Sequence, residues 1–242
     1  GAKIMSDEKD FYRGYAPLPD KDRRFLLKAV PLGMICIAAA GTGFATRGAS
    51  AGGGRWETGT PVTVTGRLGF HPQPILWTDT AAIVIAGIGK LAADPYLQAF
   101  AGQTVQMTGV RIVRGECFML GVADGDTQAI EASFPPLPVA DAPEPISLVG
   151  EIVDAQCFMG IMSPGYGRSH RGCATQCIRG GQPAYFAVGA ALSGGGNSAQ
   201  CGDIGYLLAD ENGEKINTQI LGDVAVPVKI EAMQYALPFG IN

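Results

Sequence analysis

Between Ala29 and Thr46 the chain runs eighteen residues without a charge, AVPLGMICIAAAGTGFAT, and Phe25-Leu26-Leu27 extend the run on the other side of Lys28. At about 1.5 Å per residue such a helix reaches roughly 27 Å, enough to cross a bilayer core when Lys28 snorkels to the surface. The pattern predicts a transmembrane helix over 25–46, a polar segment over 1–24 and a linker over 47–60. Seven Lys or Arg precede the run and two follow it closely, so the N-terminus is expected in the cytoplasm and the bulk of the chain on the far side. The helix is rich in small residues, and Cys36, Ala40 and Gly43 fall on one face at a spacing that lets helices approach closely in lipid. Partner helices of other membrane-protein subunits are therefore expected there, with lipid around the rest. The segment before it, SDEKDFYRGYAPLPDKDRR, is too short and too polar to fold alone.

Directly before the apolar run stands DRRFLLK, residues 22–28, with Arg23-Arg24, one variable residue, two large apolar residues and a Lys. This stretch resembles the twin-arginine export signal. The resemblance implies a bacterial inner-membrane protein exported already folded, with its body in the periplasm. A plain anchor with basic flanks is the competing reading. Ala49-Ser50-Ala51 fits a small-x-small cleavage rule, but the segment is read here as a retained signal-anchor.

Beyond the linker the chain repeats itself. PVTVTGRL (61–68) and PISLVGEI (145–152) share one pattern of Pro, apolar, hydroxyl, apolar, x, Gly, charged, apolar. Alternation of this kind predicts a β-strand, bent or bulged at the shared glycine. LQAFAGQTVQMTGVRIV (97–113) similarly matches NTQILGDVAVPVKIEAM (217–233), an apolar turn, a Gly, then a β-rich run. Between the copies lies SFPPLPVADAPEP with five prolines, a stiff spacer. The expected class is mainly β, with one domain over 61–132, a linker over 133–145 and a second domain over 146–242. Each half resembles the OB-fold, a five-stranded partly open barrel, with a β-sandwich pair as the alternative. The second half carries extra residues, 155–202, as a cysteine- and histidine-containing insertion. Nucleic acid is excluded as a partner: residues 47–242 hold 11 Lys or Arg against 17 Asp or Glu, a net of −6 that repels phosphates.

That insertion opens with CFMGIMSPGYGRSHRGCATQC, residues 157–177. In an oxidising compartment disulfides are the default, and Cys157, Cys173, Cys177 and Cys201 are the expected structural set. Cys173 and Cys177 share a helix face, so each would pair with a distant cysteine, leaving Cys117 over. The alternative is a metal site: Cys157, His170, Cys173 and Cys177 supply three sulfurs and an imidazole, a set for zinc, or for copper given Met159 and Met162 nearby. Spacings for covalent haem, thioredoxin chemistry and four-cysteine iron–sulfur clusters are missing. Arg168, Arg171 and Arg179 make the insertion a basic island without Asp or Glu, a solvated loop or a contact for an acidic partner.

No catalytic constellation is found: there is no G-x-S-x-G elbow, no phosphate-cradling loop and only two histidines, His71 and His170. The favoured expectation is thus a non-catalytic, membrane-anchored periplasmic subunit of a bacterial membrane complex, with respiratory or photosynthetic electron transfer as the host class and no cofactor of its own. The alternative is a membrane-tethered metal or redox protein built on the Cys₃His set. A binding module for small ligands or glycans stays open as a third.

Overall fold

The computed structural model describes residues 20–48, 54–139, 141–189 and 205–236, in two units, Gly1–Ala49 and Ser50–Asn242. In the first unit, helix α1 (Asp20–Gly48) contains a stretch, Asp20–Thr42, of mean hydropathy 1.8 with none of its apolar window buried inside the chain. It is long and apolar enough to cross a membrane. Cys36 and Ala40 are exposed along it. Thr42 turns its hydroxyl back onto the Ala38 carbonyl at 2.8 Å, which satisfies that polar group within the helix itself.

The second unit is built mainly of strands, as the alternating patterns predict. Strand β1 (Gly54–Trp56) lies at the edge of β5; then come β2 (Val62–Gly69), β3 (Ile75–Trp77), β4 (Ala82–Gly87), β5 (Thr104–Arg114) and β6 (Cys117–Val122). The neighbour order is β5-β2-β3-β4-β6, and a further β5–β6 pairing closes these five strands into a barrel. Closure leaves only β4–β6 parallel, and the short helix α2 (Asp94–Leu97) fills part of the connection from β4 to β5. Strand β7 (Thr127–Ala129) adds to β5 outside the ring. The inward-facing residues Leu68, Leu76, Ile83, Ile85, Val105 and Met107 are fully or almost fully buried and fill the barrel. Burial of each such side chain contributes about 1.5–3 kcal/mol.

The second half departs from the expected second barrel. Strands β8 (Glu144–Asp154), β9 (Ala184–Val188), β10 (Gly205–Leu207) and β11 (Pro227–Gln234) form an antiparallel sheet in the order β10-β9-β8-β11. This order repeats β4-β3-β2-β5 of the barrel, so the sequence repeat corresponds to the first four strands. Among the described residues no strand takes the place of β6, and the sheet stays open. Both sheets nevertheless belong to one compact unit. Ala86, Ile112 and Met119 from the barrel pack with Val153, Phe158 and Ala187 from the second half in a shared core.

The glycines shared by the repeat have a steric reason. A Cβ on Gly66 would lie 2.4 Å from the Trp77 carbonyl oxygen of β3, and one on Gly150 would lie 2.1 Å from the Ala187 carbonyl oxygen of β9. In each copy the neighbouring strand's backbone occupies the space a side chain would need. Gly150→Ala is therefore expected to destabilise the unit by about 1–3 kcal/mol through overpacking. Chemical denaturation against the wild-type chain checks this, and a variant of unchanged midpoint would contradict the steric reading.

Candidate metal centre

The longest difference between the two copies is the connection after their first strand. β2 reaches β3 through residues 70–74, whereas β8 reaches β9 through residues 155–183. This longer connection holds one wide helical turn, Cys157–Ile161, and helix α3 (Arg171–Arg179). The turn starts where β8 ends: the Asp154 carboxylate accepts the backbone N–H groups of Gln156 and Cys157, both at 3.2 Å, as a side-chain cap. Helix α3 then returns, with His170 at its N-terminal boundary and Cys173 and Cys177 one turn apart on one face.

These elements bring the sulfurs together. Donor atoms of Cys157, His170 and Cys173 lie within 4.8 Å of one another, and so do those of Asp154, Cys157 and Cys177. The site is interior: relative exposure is 0% for Asp154, 3% for Cys157, 4% for His170 and 2% for Cys177. Nε2 of His170 is buried with no hydrogen-bond partner, and Asp154 has no cation within ion-pair distance among the described residues. A buried group left in this state costs about 1–3 kcal/mol unless something satisfies it.

The protonation pattern follows from the geometry. Burial pushes the Asp154 carboxyl above the usual carboxylate range, partly offset by hydrogen bonds from the Cys157 and Cys177 thiols and the two backbone N–H groups. The Cys157 thiol is raised, first by donating to Cys177 and then by burial, while Cys177 is lowered mainly by accepting that bond. Of the two, Cys157 therefore holds its proton more tightly than Cys177. Burial lowers the His170 pKa, which keeps the ring neutral and its nitrogen available as a ligand.

A lysine from the barrel completes the surroundings. Lys90 Nζ lies 3.0 Å from Cys173 Sγ and 3.7 Å from Cys177 Sγ, and its hydrogen bond to Cys173 is the main cause of its raised pKa. Its loop is held by amides. Gln182 Nε2 donates to the carbonyls of Gly87, Gly89 and Leu91, and Gln156 Nε2 donates to that of Gly87. The Gly180 carbonyl accepts the Ala92 N–H at 2.9 Å, and a Cβ on Gly180 would lie 1.9 Å from the Lys90 carbonyl oxygen. On the other side, Arg114 Nε donates to the Phe158 carbonyl at 2.8 Å and its guanidinium stacks 4.1 Å over the Phe158 ring. A cavity of ≈ 190 Å³, lined by Trp56, Ile88, Val110, Ile161 and Met162, opens onto Lys90 and the three sulfurs.

Several expected residues meet here and others do not. Of the metal alternative's four residues, Cys157, His170 and Cys173 come within 4.8 Å of one another, and Cys177 comes within that distance of Cys157 and Asp154. Against the expected disulfide set, Cys157, Cys173 and Cys177 are free thiols, and it is Cys117, expected to be left over, that is disulfide-bonded. α3 and the wide turn bring the Cys157 thiol close to those of both Cys173 and Cys177. Cys201 lies outside the described residues. His71 is exposed and sits 3.9 Å from Glu214, away from the cluster. Met159 is core and Met162 lines the cavity. Of the basic island, Arg171 is tied to the Gly222 carbonyl and Arg179 to Gln176, while Arg168 is exposed. Asp154 and Lys90 are the site residues the sequence reading missed. For Asp154 a signal existed, a carboxylate directly after the apolar pair Ile152-Val153 and three residues before Cys157. Lys90 had none. No family model, curated protein or solved structure matches this chain.

Proposed function

We propose that this chain is a membrane-tethered, thiophilic metal-binding protein whose centre is formed by Cys157, His170, Cys173 and Cys177, with α1 as the tether. The observation that supports this reading is the approach of three free thiols and an unpartnered, neutral imidazole nitrogen in two triads that share the buried Cys157. Sulfur and imidazole donors suit zinc best among common divalent ions, and the carboxylate of Asp154 favours zinc over Cu(I), which prefers soft ligands. Metal would enter as the thiols lose their protons, and its binding would stabilise the connection between β8 and β9. Lys90 would donate to the metal-bound sulfurs and hold their charge in check.

Elemental analysis of the full chain, purified in mild detergent under anaerobic conditions, tests the proposal. The expected result is zinc at one equivalent or more, with three thiols that become titratable only after chelation. Metal-free protein that takes up no zinc and whose thiols react at once would overturn it.

A second reading, residence in a larger membrane assembly, is supported by α1, whose apolar stretch has no residue buried within the chain and exposes the small residues Cys36 and Ala40. Electron-transfer assemblies are the class suggested by the export-signal resemblance. Migration as a lone monomer in mild detergent would count against it.

A further inference from the structure

The donor atoms do not form one group of four. They form two groups of three that share Cys157: one with His170 and Cys173, the other with Asp154 and Cys177. A single tetrahedral zinc with bonds of about 2.3 Å to sulfur needs its donors roughly 3.8 Å apart, all around one point. Here the donors of each triad lie no more than 4.8 Å apart, and the five residues fall into two such triads.

Charge leads to the same count. With its thiols ionised, the cluster carries three thiolates and the Asp154 carboxylate, all but Cys173 buried. Buried charge must be compensated. One divalent ion meets half of that negative charge, and two meet all of it. Lys90 lies nearest Cys173, the one half-exposed donor, so the buried charges of Asp154, Cys157 and Cys177 fall to the ions.

Resting on the metal-binding reading above, we propose that the centre holds two divalent ions of the zinc type, bridged by the Cys157 thiolate. One ion sits with His170 and Cys173, the other with Asp154 and Cys177. On loading, the three thiols release their protons to solvent and the Cys157 sulfur uses two lone pairs, one for each ion. Each ion then has three protein ligands and one position left for water, which the adjoining cavity has room to supply. The wide turn serves this arrangement because it places Cys157 between Asp154 and the face of α3. Asp154 is thereby a ligand as well as the cap of that turn.

The test is native mass spectrometry of the full chain in detergent, titrated with zinc, together with Asp154→Asn and His170→Ala. Two zinc ions per wild-type chain, falling to one in each variant, are expected. One ion in the wild type, or two that persist in Asp154→Asn, would overturn the two-ion centre while leaving the metal-binding reading intact. No ion at all would overturn both. Because either variant risks misfolding, the wild-type chain is also loaded with Co(II). Two ions sharing a thiolate couple magnetically, so the second equivalent should quench the paramagnetic resonance signal of the first. A signal that doubles instead would refute the bridge.

Discussion

Cys157→Ser is expected to weaken zinc binding by at least about 100-fold, equivalent to about 3 kcal/mol. Loss of an outer hydrogen-bonding partner alone costs a metal site about 10–100-fold, and Cys157 belongs to both triads, so in the proposed centre it would ligate metal directly. A serine hydroxyl keeps its proton at neutral pH and is a poor substitute for thiolate. It can still donate to Cys177 as the Cys157 thiol does, so the fold should survive the exchange. Competition with a chromophoric chelator measures the affinity, near-ultraviolet circular dichroism reports the fold, and Cys36→Ser on α1 serves as control. A folded Cys157→Ser variant that keeps zinc within tenfold of the wild type would show that the ions do not depend on this sulfur.

Phe158→Ala should produce the largest loss of stability. The ring is fully buried, packs edge-on against Tyr166 at 6.4 Å and against Tyr185 at 6.0 Å, and carries the Arg114 guanidinium on its face. Its removal opens a cavity in the core shared by the barrel and the second sheet, at a cost of about 3–5 kcal/mol. Arg114, only 2% exposed and without a carboxylate partner among the described residues, would lose its stacking surface at the same time. For a unit of this size the melting temperature should fall by on the order of 10 °C. Val139→Ala, at a position 90% exposed, should change it by less than about 2 °C. A Phe158→Ala protein that melts within about 3 °C of the wild type would show that the two halves do not rely on this core.

How far the site was legible depends on the residue. Cys157, His170, Cys173 and Cys177 stood out because three cysteines and a histidine within twenty-one residues are rare, whatever they do. Whether they oxidise or hold metal was not legible, since both fates use the same residue types. What separates them is direction: the spacing of Cys173 and Cys177 puts them on one face of α3, but only the turn after β8 decides that Cys157 faces that side. Lys90 belongs to a loop of the barrel, eighty-three residues from Cys173, and reaches the sulfurs because Gln156 and Gln182 hold that loop. No local pattern carries that information.

The fold divides in the same manner. By itself the amino-acid order determined the apolar helix, the β character of the chain beyond it and the recurrence of a first strand and a late strand in each copy. These rest on local periodicity and on repeated glycines where a neighbouring carbonyl leaves no room for a side chain. Tertiary structure alone decided that the first copy closes, because β6 runs parallel to β4 while pairing antiparallel with β5. It also decided that the second copy stays open among the described residues, and that the two sheets bury Phe158 and its neighbours jointly. Closure and shared burial are long-range choices: they depend on which apolar surfaces meet, and a strand's sequence states how much surface it offers but not to whom.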